Sequence, residues 1–347
     1  MKRRVYWPLI LIISVCVFFS LTGCKHDKES FAYVDMDFEI ISTNEALGIL
    51  LDLRVKGDTL LTNQFSGDKF LNWFSLKDGS LIKSEISRGT AYKEMLGPLM
   101  INMIGDSLLI YDRQKFCLYK SDFLCDTIIK SVKDLPFWAT GVFSLNDGSN
   151  IISKIPFGTE DAECGETRFA VLLNDSVTAH FGSYPEYTAS DRMSNVEQKA
   201  FFHQTLGICE LPNGRFLAVS SHILSLYSVN DTGFDVIKEI VASPYEYTTT
   251  PATATISATA TLESGYDRGF LRQPVFHDGK IYIPYKNDKD INIYCYDTDL
   301  NLIGIIIPSL TILTPFAIDD EGRIVALVEE ENSTNISISK ISVEDIW

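Results

Sequence analysis

The segment GDTLL beginning at Gly57 returns as GDSLL at Gly105, and both copies stand between short apolar runs. In the first copy those runs are LGILLDLRV, DTLLTNQF, FLNWFSL and LIKSEIS, rich in Leu, Ile, Val and Phe. Gly, Asp, Asn and Ser punctuate them, which is the composition of four strands joined by tight turns. The same grammar recurs as MIGDSLLIYDRQKFCLYKSDFLCDTIIK and as SLNDGSNIISKIP followed by TRFAVLLNDSVTAHF. It continues through CELPNGRFLAVSSHILSLYSVNDTGFDVIKEI, VFHDGKIYIPYKNDKDINIYCYDTDLNLIGII and AIDDEGRIVALVEEENSTNISISKISV. The turn glycines Gly57, Gly105, Gly148, Gly214, Gly279 and Gly322 are spaced by 48, 43, 66, 65 and 43 residues.

A four-stranded unit cannot bury both faces alone and must stack on its neighbours, so this period specifies an all-β, six-bladed β-propeller with four-stranded blades. The two longer spacings hold insertions, because neither contains another four-strand set. Asn-Gly and Asp-Gly supply the positive φ that short hairpin turns need. The sixth copy ends at SVEDIW, too short for a fourth strand, while YVDMDFEII at 33–41 alternates like a strand without a blade of its own. The N-terminal strand is therefore expected to pair into the last blade and close the ring, removing an open sheet edge.

Residues 1–23 read as a lipoprotein signal peptide. Lys2, Arg3 and Arg4 precede an apolar run of 16 residues, VYWPLILIISVCVFFS, closed by LTGC. That run is short for a spanning helix and sits where a secretory signal belongs; an uncleaved anchor helix is the alternative. Leu-Thr-Gly-Cys resembles a bacterial lipobox, which makes Cys24 the acylated residue, 24–32 a lipidated tether and 33–347 the propeller domain. Several acyl chains on one cysteine give lasting attachment. Lys25 is not the aspartate that retains enteric lipoproteins at the inner membrane, so the expected location is the outer membrane, facing either the periplasm or the surface.

The formal charge is −16, and losing residues 1–23 removes three basic residues and no acidic one. A surface this acidic repels phosphate backbones, which excludes nucleic acid as a partner. With 46% apolar residues the chain can build a large core. Setting aside Cys16 and Cys24 leaves Cys117, Cys125, Cys164, Cys209 and Cys295, with no C-x₂-C spacing for zinc. Cys117 and Cys125 either bridge a hairpin or sit buried as small apolar residues.

The segments KAFFHQTLGICELPNGRFLAVSS, GFLRQPVFHDGKIYIPYKN and IYCYDTDLNLIGII resemble the TolB-like six-bladed propeller lipoproteins of Gram-negative envelopes. SRGTAYKE is similar to that family's Gly-Arg-Gly-x-x-x-x-Glu junction, with Ser87 in place of the leading glycine. The resemblance spans most of 31–343, implies the propeller fold and carries over no catalytic motif. By fold-level analogy it suggests protein partners in the envelope.

In such a ring the A–B and C–D turns lie on one face, and the B–C and D–A connections on the other. The long connections, 88–98, 133–139, 157–166, 183–204 and 242–270, all belong to the second class, where binding residues usually sit. They carry Trp138, Tyr184, Tyr187, Tyr245, Tyr247 and Tyr266 with Arg88, Arg268 and Arg272, a mixture suited to a protein or glycan contact. The competing expectation is that these aromatics fold inward to pack the loops. His203 joins the candidates as a general base at the same face, against a plain structural role. The Thr- and Ala-rich stretch 248–262 reads as a flexible rim loop, with a glycan-bearing segment or an edge strand as alternatives.

No G-x-S-x-G elbow, His-x-x-x-His spacing or phosphate-binding glycine loop occurs. The expected function is a monomeric, lipid-anchored binding or scaffolding module for an envelope protein or glycan, without catalysis or cofactor. The alternative is a lactonase-type hydrolase with a divalent cation such as Ca²⁺ in the channel, for which Asn102, Glu210 and Asp319 on three blades are the candidate ligands.

Overall fold

The computed structural model describes residues 31–347 apart from 44–46, 66, 133–134, 136, 145–149, 156–166, 174–175, 185–203, 231–232, 242–245, 251–258, 265–267, 289 and 331–332. The signal peptide, Cys24 and most of the tether therefore lie outside the described residues. Blade 1 is built from Leu50–Lys56, Thr59–Gln64, Lys69–Ser75 and Leu81–Arg88, with the short strand Glu94–Met95 added parallel to the last. Blade 2 comprises Pro98–Ile104, Ser107–Asp112, Cys117–Asp122 and Ile128–Val132. Trp138–Ser144, Asn150–Ile155, Phe169–Leu173 and Ser176–Phe181 form blade 3. Blade 4 follows with Gly207–Leu211, Arg215–Val219, Ile223–Asn230 and Gly233–Val241.

In blade 5, Arg268–Phe270 and Val275–His277 share the inner position, ahead of Lys280–Asn287, Asp290–Asp297 and Leu302–Pro308. Blade 6 holds Ile312–Ile318, Ile324–Glu330 and Ser333–Ser339, and its outer strand is Phe38–Ile41. The N-terminal segment thus supplies the fourth strand of the last blade. It is two strands instead of one: Ala32–Met36 pairs with Leu302–Pro308 at the outer edge of blade 5, and the chain steps at Asp37 to the next blade. Ser309 N donates to Met36 O at 2.9 Å and Lys340 N to Asp37 O at 2.9 Å, fixing both sides of the step.

The middle strands of a blade are covered on both faces, which is why they read as continuous apolar runs and not as alternation. Ile281–Tyr285 and Ile324–Val328 are buried at every position. Six apolar clusters among the described residues each join two neighbouring blades. Leu53, Leu60 and Phe74 meet Val325, Leu327 and Ile336 in the one that closes blade 6 onto blade 1. Five of the six turn glycines adopt the positive φ that their turns require, from 51° at Gly57 to 75° at Gly279 and Gly322; Gly148 lies outside the described residues.

Within the fourth-to-fifth blade insertion, Glu246–Thr250 and Thr259–Ser264 pair as a hairpin, so the Thr-rich stretch takes the alternating-strand form at both its ends. Cys117 and Cys125 are free and buried, and no bridge joins them. Cys117 Sγ donates to Lys115 O, and burial pushes the Cys125 thiol up to about 11. Among the described residues, no helix is long and apolar enough to cross a membrane.

Candidate functional site

All six blades present their inner strands to the central channel, and the channel has a waist made by one buried polar network. Asp52, 2% exposed, and Arg54 stand two residues apart on the inner strand of blade 1. Arg54 Nη1 donates to Asp52 Oδ1 at 2.5 Å and to Leu53 O at 2.6 Å. Its Nη2 reaches across to Ile101 O of blade 2 at 2.6 Å and to Gln273 Oε1 of blade 5 at 2.8 Å. Leu53 N and Ile101 N donate to the Asp52 carboxylate at 2.8 and 3.2 Å, so the pair also satisfies backbone groups on the exposed edge of an inner strand.

Burial raises the Asp52 carboxyl above its ordinary range; Arg54 and the two N–H donors pull in the opposite direction. Gln273 holds a left-handed φ of 64° just before Pro274, a costly conformation that its hydrogen bonds maintain. Room for it comes from Gly207 on blade 4, where a Cβ would lie 2.6 Å from Pro274 Cδ and 2.9 Å from Gln273 Cα.

The two sides of this waist differ. On the side of the long connections, the described residues Leu51, Thr140, Leu206 and Arg272 border a space of about 10 Å³, scarcely enough for one water. Toward the A–B turns it widens to a cavity of about 360 Å³, within the size range of ligand sites. Val55, Met103, Phe276, Phe316 and Ile318 give this cavity apolar walls, and Arg54, Asn102, Glu210 and Gln273 bring polar groups to it. Cys209 also faces it, but burial pushes the thiol far up, which keeps it protonated and unsuited to attack.

Of the metal-ligand candidates, Asn102 and Glu210 do share the cavity lining, whereas Asp319 does not reach it. Its carboxylate is spent on its own A–B turn, accepting from Glu321 N, Arg323 N and Arg323 Nε at 3.0, 2.8 and 2.9 Å. Among the described residues, no three His, Cys, Asp or Glu side chains come together to hold a metal ion.

The candidates on the long-connection face are placed as follows. Tyr184 folds inward: it is 5% exposed, its hydroxyl donates to Lys154 O at 2.7 Å, and burial raises it strongly. Trp138 belongs to a strand and not to a loop, since it opens the inner strand of blade 3. Arg88 ends the outer strand of blade 1 with its guanidinium over Phe65 and Phe70, 5.4 and 5.6 Å from the ring centroids. The junction it belongs to is fastened by Gly89 N to Met95 O at 3.0 Å and Ala91 N to Glu94 Oε2 at 2.8 Å; Ser87 accepts from Lys69 Nζ at 2.8 Å.

Arg268 pairs with Asp288 at 3.4 Å on the surface, and Arg272 is exposed at the narrow channel mouth. Tyr247 lies on the inserted hairpin, and Tyr187, His203, Tyr245 and Tyr266 lie outside the described residues.

The waist residues were not among the candidates, although the signal was present in the sequence. LLDLRV puts an Asp and an Arg two apart in an otherwise apolar inner strand, where burial demands that charges be paired.

Three solved structures share the architecture at low identity. An inferred exported protein of Bacteroides fragilis superposes with a TM-score of 0.55 at 11% identity, covering 90% of this chain and 100% of its own. A DUF4221-family member from Bacteroides vulgatus gives 0.51 at 10%, over 87% of this chain and 97% of that one. Regucalcin from Agrobacterium tumefaciens, a calcium-binding protein, gives 0.52 at 13%, over 88% and 96%. At these identities the likeness concerns the fold. No curated protein matches the sequence. Kinship comes instead from the family whose pattern covers five of the six blades and their turns: matched over residues 43–309, the chain belongs to the TolB-like 6-blade propeller-like family.

Proposed function

We propose that the chain is a lipid-anchored envelope propeller that binds a protein partner at the turn-side mouth of its central channel, without catalysing a reaction. The observation that carries this reading is the asymmetry of the channel. A 360 Å³ cavity is walled by all six blades and floored by a satisfied polar network, and among the described residues no set of side chains converges there as nucleophile, base and orienter. The envelope address rests on the basic, apolar and LTGC succession before Cys24.

In-cell photo-crosslinking tests the reading. A photoreactive residue at Phe276, on the cavity wall, should give a discrete adduct with one envelope protein, and one at Val236, exposed on the outer strand of blade 4, should not. Equal adducts from both positions, none from Phe276, or an adduct carrying polysaccharide would contradict it. Acyl labelling that disappears in Cys24→Ala checks the anchor.

The metal-dependent hydrolase is the second reading, favoured by the shared placement of Asn102 and Glu210 in the cavity. It predicts that excess Ca²⁺ raises the melting temperature over that in EDTA, because a ligand binding only the native state at 100 times its Kd adds about 2.7 kcal/mol. An unchanged melt removes this reading.

A further inference from the structure

We infer that the turn-side face docks a basic, leucine-bearing segment of the protein partner, in a groove that crosses blades 6, 1 and 2 beside the channel mouth. The inference rests on the turn side being the binding face and adds the chemistry of what lies there. The groove is open and holds about 730 Å³. It runs from Asp320 in the A–B turn of blade 6, across Lys56 and Thr59 at the A–B turn of blade 1, to Asp106 and the 122–126 turn of blade 2. Lys56 and Asp320 follow within two residues the cavity-lining Val55 and Ile318, which places the groove next to the channel mouth.

The groove surface is mainly apolar, with Phe123 and Leu124 as its large apolar groups, and Leu124 is 43% exposed. These two occupy a C–D turn, where blades 1 and 5 place Asp78 and Asp299 instead. Blade 1 holds the turn in place. Trp73 Nε1 donates to Phe123 O at 3.0 Å, and Lys83 Nζ donates to Leu124 O and Asp126 Oδ1, both at 2.7 Å. An exposed leucine on a pinned turn offers a partner apolar area at little ordering cost.

Four carboxylates accompany this surface, from Asp106, Asp122, Asp126 and Asp320. Asp122 is spent within its turn, accepting from Asp126 N and Thr127 N at 3.0 and 2.8 Å. Asp106 pairs with Lys56 and Asp126 with Lys83, yet both carboxylates stay largely exposed. Exposed pairs of this kind hold little energy and yield to a competing cation. Asp320 is exposed and pairs with no cation among the described residues. Two ammonium groups thus stand against four carboxylates, and the groove is acidic as well as apolar. A segment carrying Lys or Arg beside leucine complements both properties: its apolar side chains and stems cover Phe123 and Leu124, and its cationic heads meet the rim. The chain's formal charge of −16 draws such a segment in at long range.

The test is fluorescence-anisotropy titration of the full-length chain in phosphatidylcholine nanodiscs with three labelled peptides. The first is Arg-Leu-Arg-Leu-Arg with blocked ends; the second has Glu for each Arg, and the third has Gly for each Leu. The Arg-Leu peptide should bind about tenfold or more tighter than either of the others, and more weakly as salt rises. Asp320→Lys combined with Leu124→Ser should lower its affinity about tenfold while the melt is unchanged, because both side chains are exposed. Asp320→Lys alone gives a smaller loss in the same direction if the double variant does not fold. Asp290→Lys changes the net charge equally from an exposed site in a connection on the opposite face, and should leave binding unchanged.

Equal or better binding of the Glu-Leu or Arg-Gly peptide overturns the inference. So does an equal loss in Asp290→Lys, which would make the attraction one of net charge alone, or an affinity that survives the groove variants. If no peptide binds while Phe276 still crosslinks a partner, the inference falls and the binding reading stands. If the Arg-Leu peptide binds in the groove while Phe276 gives no adduct, the groove stands as the site and the channel mouth does not.

Discussion

Arg54 illustrates how much can hang on one side chain at the residue scale. Removing one partner of a buried pair strands the other charge, so Arg54→Met should cost about 3–5 kcal/mol in urea unfolding. Burial already raises the Asp52 carboxyl, and without Arg54 it rises further. A carboxylate raised in the folded state destabilises once it must ionise. The loss should therefore shrink as pH falls and Asp52 takes up a proton, and be largest at neutral pH. Asp52→Leu with Arg54→Met should restore much of the stability, because no charge is left unpaired.

His222 supplies the opposite sign. It is 4% exposed, and burial lowers it from the ordinary 6.5 to about 4. Between those values the unfolded chain binds a proton that the folded chain refuses, so stability falls as pH drops from 6.5 toward 4. The full effect is about 3 kcal/mol, and pH-dependent melts of His222→Gln should be flatter across that window by a comparable amount.

Among the elements, the N-terminal strap has the clearest energetic consequence. Met36 is fully buried and Phe38 nearly so, both in the cluster between blades 5 and 6. Burying a side chain of this size contributes about 1.5–3 kcal/mol, so a chain beginning at residue 42 should lose roughly 3–6 kcal/mol. It should also become open to proteolysis at the freed strands Leu302–Pro308 and Ser333–Ser339. Equal melting and equal protease resistance would show that the strap does not close the ring.

This element also marks what a linear pattern can carry. YVDMDFEII predicts a closing strand because its side chains alternate, but alternation cannot register a step between blades. That step at Asp37 depends on Ser309 and Lys340, which are remote in sequence. The four strands of blade 1 fall close to their expected places, because Gly57 and the Ser75–Ser80 segment punctuate them locally. Tyr184 was legible as an aromatic near a loop; its inward turn is decided by Lys154 O, thirty residues away.

At the scale of the whole molecule, six interblade clusters among the described residues hold the ring around an axial channel. Loop length draws a sequence reading to the long-connection face, because long connections are the visible asymmetry in a sequence, whereas the site proposed above is the turn-side cavity. A cavity is formed by side chains converging from six separate repeats, and no single repeat contains it. Of its polar groups, Asn102 and Glu210 were reached by sequence reasoning through their places on inner strands, and Arg54 was legible in LLDLRV but not drawn upon.

Methyl NMR of the full-length chain labelled at methionine tests the cavity directly. Met103 lines it, whereas Met36 and Met95 are buried in clusters between blades. On titration with the purified envelope protein that crosslinks at Phe276, the Met103 signal should move saturably and the other two should stay in place. A Met103 signal that stays fixed at the highest partner concentration, or that moves together with Met36 and Met95, would contradict the assignment of the turn-side channel as the binding site.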